Sequence, residues 1–265
     1  MENAMNGTLA GRTCVVTGAA DGMGRAAAIE LATAGARVVV SDLNDDLGAR
    51  TAAMIDEGGG EALYVHCDVR DELQVEALMA AAVETFGGID VLHNNAAVHE
   101  VAIAGPQPVD QISNELGTLV YETNLRGYWW CTKHAAPHLR ASPAGAIVNA
   151  ASTASLVGYP GSPAYNAMKG AVLQLTRSTA VDLAPVRCNC YCPAGVETPL
   201  LDAFLKDAPD RAAIEQQLLD SYLIKRLGTP EDIAKLVCFL ASDAASWITG
   251  AVISIDGGAL SWREL

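Results

Sequence analysis

The chain is short of positive charge. It carries 17 lysines and arginines against 31 aspartates and glutamates, a net charge of −14. A surface that acidic repels phosphate backbones and anionic lipid, so nucleic acid and membrane surfaces are not expected partners. Long apolar runs are missing too: none approaches the about twenty residues of a membrane span. The polar start, MENAMNGTLAGR, lacks the basic-then-apolar pattern of a secretory signal. A disulfide framework is absent as well. The seven cysteines are scattered and odd in number, which points to free thiols in a reducing, cytoplasmic setting. Cys188, Cys190 and Cys192 alternate along one stretch, off the usual C-x₂₋₄-C metal spacing and without a histidine cluster, so they read as buried thiols and no metal is expected. His134 and His138 lack the glutamate of H-E-x-x-H and read as a solvated helix end.

What is present is an alternating pattern. The chain has 265 residues, 51% of them hydrophobic, enough for a sizeable core. Seven β-branched runs recur: RTCVVTG, ARVVVSD, ALYVHCD, GIDVLHNN, AGAIVNAAS, VRCNCYC and GAVISIDGG. Alanine- and leucine-rich stretches with helical spacing lie between them, including 23–34 and 72–86. Strands alternating with helices predict an α/β fold with a doubly wound parallel sheet and helices on both faces. The runs are apolar throughout, as strands covered on both sides must be. No linker divides residues 1–265, so one domain is expected. Its least regular stretch, about 193–228, is the candidate substrate-binding loop or lid.

The first run leads straight into TGAADGMG. Gly18, Gly22 and Gly24 would allow a tight turn and close backbone approach, with the next helix aiming its free N–H groups at a pyrophosphate. Asp42 ends the second run, placed to accept hydrogen bonds from adenosine ribose hydroxyls and to repel a 2′-phosphate. Asp21 adds negative charge at the same place, and no lysine or arginine follows Asp42 until Arg50. NAD is therefore the expected cofactor. Asp68, at the end of the third run, either reaches the adenine or caps the helix at 72–86. Asn94 and Asn95 bind either the neighbouring strand or the cofactor.

Ser152 closes the fifth run, and Tyr165 and Lys169 stand four apart on the helix that follows. A free tyrosine, with a pKa of about 10, is a poor base at neutral pH. A nearby ammonium and an oxidised nicotinamide would both favour its phenolate. Ser152 would hold the same substrate oxygen in place.

In this order of motifs the chain resembles the short-chain dehydrogenase/reductase family over essentially its whole length. The resemblance implies a Rossmann-like sheet of about seven strands, nicotinamide chemistry and a homotetramer. It implies Tyr165 as general acid/base, Lys169 on the nicotinamide ribose, Ser152 on the substrate oxygen and Asn124 holding a water in a proton relay. It places Met23, Leu43, Val69, Ala96, Ala97, Pro193, Ala194, Val196 and Thr198 near the cofactor, Thr198 on the carboxamide. Two alanines, Ala97 and Ala194, stand where the family usually has glycine; a positive φ there would strain them.

The substrate is expected between Ser152, Tyr165 and the segment after Pro193. Ala154, Leu156, Tyr159, Ala194, Leu200, Leu201, Phe204 and Leu205 are mostly apolar, and Lys206, Arg211, Lys225 and Arg226 read as a solvated face. A neutral ring or apolar ketone is favoured over an anion. The rivals are an NADP-linked ketoreductase, including one for carrier-bound acyl groups, and a non-catalytic dinucleotide-binding regulator. A regulator would be expected to lose one of Asn124, Ser152, Tyr165 and Lys169, and all four are kept. An epimerase or dehydratase would need more chain for a substrate domain.

Overall fold

A computed structural model of the chain describes residues 7–206 and 210–262. The first half of the polar start, the last three residues and positions 207–209 of the candidate loop lie outside the described residues.

Seven strands form one parallel sheet: β1 (Thr13–Thr17), β2 (Arg37–Asp42), β3 (Glu61–His66), β4 (Val91–Asn94), β5 (Ala146–Ala150), β6 (Arg187–Pro193) and β7 (Val252–Ile255). Their order is β3-β2-β1-β4-β5-β6-β7. The order reverses between β1 and β4, so the two strand ends diverge there and open a crevice at the carboxyl edge. All seven predicted runs are strands, though several are shorter than their apolar stretches: Asp68 and Ser152 lie just past β3 and β5.

Among the described residues ten α-helices accompany the sheet: α1 (Gly22–Thr33), α2 (Asp45–Glu57), α3 (Glu72–Phe86), α4 (Glu100–Ala104), α5 (Asn114–Tyr121), α6 (Gly127–Ala141), α7 (Pro163–Asp182), α8 (Pro199–Leu205), α9 (Arg211–Ser221) and α10 (Pro230–Ala241). Strand alternation divides the core between the two faces. Cys14, Val16, Val38 and Val40 pack with α1 and α10; Val15, Val39, Leu92 and Ile147 pack with α3 and α6. Each fully buried aliphatic side chain there contributes about 1.5–3 kcal/mol, so truncating Leu92 to Ala would cost about 2–5 kcal/mol. Among the described residues no helix is long and apolar enough to cross a membrane.

Helix ends follow local chemistry. Asp71, not Asp68, caps α3, its side chain accepting the Leu73 N–H at 3.0 Å. Asp68 is instead paired with Arg70 at 2.6 Å, since a carboxylate three residues further back cannot reach the first turn while a guanidinium is at hand. Pro137 does not end α6, which runs on to Ala141. His134 is therefore inside the helix and meets Glu72 at 3.1 Å rather than lying at a free end. The three alternating cysteines of β6 are buried thiols. Between α5 and α6 the helix takes a π-turn over Glu122–Arg126, with Asn124 in its middle.

Candidate active site

One cavity of about 790 Å³ opens along the carboxyl edge of the sheet. At one end it is walled by Gly18, Asp21, Gly22, Met23 and Asp42, and at the other by Leu200, Leu201, Phe204, Ile214 and Leu218. Ser152, Tyr165 and Lys169 line its middle.

The first end is held by hydrogen bonds. Gly18 has φ +64°, and a Cβ there would press on the Ala96 backbone at 2.7 Å. Gly24 faces the Gly18 carbonyl with no room for a side chain. Asn95 Nδ2 donates to the Thr17 and Gly18 carbonyls, tying β4 to the loop across the crevice. Asn94 turns the other way and bonds Asn149 of β5 at 2.9 Å. Asn94 thus serves the neighbouring strand, and Asn95 serves the glycine loop. Asp42 braces the loop as well, its Oδ2 accepting the Ala20 N–H at 2.9 Å. Burial, and then the neighbouring Asp42, hold the Asp21 carboxyl above its ordinary value. Asp21 makes no side-chain cap to α1, so the first-turn N–H groups are left for a ligand. Asn95 Oδ1 is buried without a partner. A tight cradle, an uncapped helix start and an orphaned acceptor together fit a dinucleotide.

The middle is built on β5 and α7. Ser152 caps a short 3₁₀ turn, its Oγ accepting the Ala154 N–H at 3.1 Å. Lys169 is 1% exposed, and its Nζ donates to the Ala150 carbonyl at 2.7 Å and to the Tyr128 hydroxyl at 3.3 Å. Burial lowers its pKa to about 7. The same ammonium lies 5.7 Å from the Tyr165 ring centroid. Tyr165 is pushed up to about 12 by burial, against a hydrogen bond from Ser152, with the Glu100 carboxylate raising it further. Glu100 is fully buried and accepts the Tyr165 N–H at 3.0 Å, capping α7 from another element.

Ala96, Ala97, Ala154, Tyr159, Pro193, Ala194, Val196 and Thr198 also line the cavity. Leu43, Asp68, Val69, Leu156, Leu205 and Asn124 do not. Val69 packs instead at Gly127, and Leu205 is buried. Asn124 bonds the Val98 backbone twice, at 2.8 Å each way. No described residue other than glycine has a positive φ, so Ala97 and Ala194 are unstrained. The tight spot is one place on, at Gly195, where a Cβ would meet the Tyr222 hydroxyl at 2.8 Å.

The candidate loop is two helices. α8 and α9 bring Leu200, Leu201, Phe204, Ile214 and Leu218 over the cavity, while Arg211 and Arg226 are spent outside it on Asp202, Glu215 and Asp232. Among the described lining residues Lys169 is the only lysine or arginine. Contributors that escape sequence reasoning include Ile214, Leu218, Tyr222, His99, Glu100, Ala259 and Leu260. The last two are brought in by a turn in which Asp256 accepts the Gly258 and Leu260 N–H groups. The IDGG stretch is the signal that marks that turn.

Comparisons with known proteins agree with this geometry. A family model described as Enoyl-(Acyl carrier protein) reductase matches residues 18–259. The chain is 40% identical over 256 residues to a cis-4-hydroxycyclohexanecarboxylate dehydrogenase of Sinomonas cyclohexanicum, covering 96% of this chain and 98% of that one. It is 36% identical to a cyclopentanol dehydrogenase of Comamonas testosteroni, over 93% and 96% of the two chains. Levodione reductase superposes with a TM-score of 0.91 at 31% identity, over 96% of this chain and all of that one.

Proposed function

Because the chain belongs to the short-chain dehydrogenase/reductase family, we propose that it oxidises neutral cyclic secondary alcohols, and reduces the matching ketones, with NAD preferred over NADP. The carrying observation is the continuous cavity. It joins two carboxylates, Asp21 and Asp42, to Ser152 and Tyr165, and ends in an apolar wall.

The bound nicotinamide supplies the hydride acceptor or donor. Everything else falls to the chain. Ser152 holds the alcohol oxygen beside Tyr165, and the Tyr165 phenolate takes its proton. Burial opposes that phenolate; the Ser152 hydrogen bond and the Lys169 charge favour it. Lys169 spends two of its N–H donors on Ala150 and Tyr128, leaving one for the nicotinamide ribose. The Asn124 side chain braces the Val98 backbone in both directions, just after the strand end that borders the cavity. Asp42 and Asp21 repel a 2′-phosphate, and the Arg25 guanidinium is occupied by the Ala20 carbonyl and Thr51.

Two relatives named for cyclic alcohols support the ring preference. So does the wall of Leu200, Leu201, Phe204, Ile214 and Leu218, where each buried methylene contributes about 0.8 kcal/mol. A carrier-bound acyl group would need a cationic docking face, and Arg211 and Arg226 are already paired. Cytoplasmic residence and a homotetramer on two-fold axes complete the reading. Exposed apolar side chains on α6, α7 and before β7 (Trp129, Val181 and Trp247) support the assembly. A panel of cyclic, aromatic and aliphatic alcohols with NAD, followed by NADH absorbance, tests the function. Turnover confined to anionic substrates would sink it, and a monomeric mass by light scattering would sink the tetramer.

A further inference from the structure

One polar side chain in the cavity is not needed for proton transfer from the alcohol. His99 stands at the start of α4 and lies on the Tyr165 phenol, ring centroids 4.1 Å apart and planes 28° apart. Its edge meets Phe204 at 5.3 Å. Its Nδ1 accepts the Val101 N–H at 3.2 Å. The cap fixes the tautomer, so the ring proton is on Nε2. That N–H has no hydrogen-bond partner among the described residues. Burial, then the Lys169 charge, lower the imidazole to about 4, so near neutral pH it is an uncharged single donor. The ring is packed between Tyr165 and Phe204, and the buried Glu100 carboxylate lies 3.8 Å from Nδ1, on the side away from Nε2.

We propose that His99 is a specificity residue whose Nε2–H donates to a second oxygen of the substrate, a hydroxyl or carbonyl set on the ring away from the reacting carbon. The inference rests on the reading above and narrows it. The favoured substrates are cyclic alcohols carrying a further oxygen. A plain ring displaces water from the N–H without replacing its bond, and an unpaired donor in an apolar site costs more than a made bond gains. This is how a polar pocket rejects an analogue that lacks one group.

The test compares kcat/KM with NAD for cis-1,4-cyclohexanediol and for cyclohexanol, in wild type, His99→Phe and His99→Gln. His99→Phe keeps an aromatic ring on Tyr165 and removes the donor. The diol-to-cyclohexanol ratio is expected to fall about three- to ten-fold in His99→Phe, the worth of one neutral hydrogen bond. His99→Gln, which restores a donor, is expected to recover part of it. Because the ratio is compared between variants, the diol's second reactive hydroxyl cancels. NADH fluorescence reports whether each variant is folded. If His99→Phe fails to bind NADH, His99→Met supplies a second donor-free variant held to the same expectation. An unchanged ratio, or equal losses on both alcohols, overturns the inference and leaves the proposed function standing. Failure of wild type to oxidise either alcohol overturns both.

Discussion

The two ends of the cavity are built in opposite ways. At the nucleotide end, Gly18 and Gly24 leave no space for a side chain, Asn95 staples the loop to β4, and Asp42 braces it. At the substrate end, α9 has no buried residue at all, and it contributes Ile214, Leu218 and Ser221 to the wall. The first end is a backbone held at a fixed shape. The second is an apolar cover whose side chains need only fill space. Position matters to within an ångström at one, while volume and polarity matter at the other.

Mutations divide along that line. The largest effect is expected at the seam. Tyr165→Phe keeps the ring on His99 and removes the proton carrier. It should cut kcat by about 10²–10⁴-fold while NADH binds as in wild type. Stopped-flow turnover with fluorescence titration measures both, and a kcat within a few-fold of wild type would remove Tyr165 from the chemistry. Next comes the rigid end. Asp42→Ala removes one of two carboxylates facing a 2′-phosphate and one brace of the loop. The NAD-to-NADP ratio of kcat/KM should narrow about ten-fold. Equal use of both cofactors by wild type would refute this account of the nucleotide wall.

The soft end should respond less. Phe204→Ala opens the cover beside His99 and should raise KM by about three- to ten-fold for large rings, and less for small ones. A uniform rise across ring sizes would mean that α8 acts as framework, and the contrast between the two ends would fail. The smallest effect is one of stability. Lys169 is nearly fully buried, and its pKa is lowered from 10.5 to about 7. Between those values the unfolded chain binds one more proton than the folded one, so stability rises with pH across that window. Below about pH 7 the folded state carries the whole burden of a buried ammonium. Lys169→Met should therefore lose turnover yet melt about 2–4 °C higher at pH 7. The gap should close toward pH 10. Calorimetry at the two pH values checks it, and a lower melting point at pH 7 would show Lys169 to be structural.

The same contrast explains what was legible in the sequence. All seven strands and the ends of α3 are readable because apolar periodicity is local. The glycine loop, Asp42, Ser152, Tyr165 and Lys169 are readable because a tight backbone or a helix face admits few residue types. The soft end is readable only as apolar. That 193–228 forms two helices, and that Ile214 and Leu218 turn inward, follows from packing against the rest of the fold. His99 and Glu100 were invisible for a different reason. Glu100 caps a helix 65 residues away in sequence, and no local pattern records a contact of that span. Asp68 shows the converse error: a plausible cap by spacing lost its place to Asp71, three residues nearer the helix.

The π-turn at Glu122–Arg126 has a bearing on how this chain can change over generations. A helix that carries one surplus residue is a counting device. Removing a residue there would rotate everything downstream by about 100°. Tyr128 would swing off Lys169, and Cys131, Ala135 and Leu139 would leave the core for solvent. Substitutions along 122–126 exchange one side chain at a time, whereas a single-codon deletion would misalign the whole of α6. Descendants of this sequence should therefore hold constant in length here.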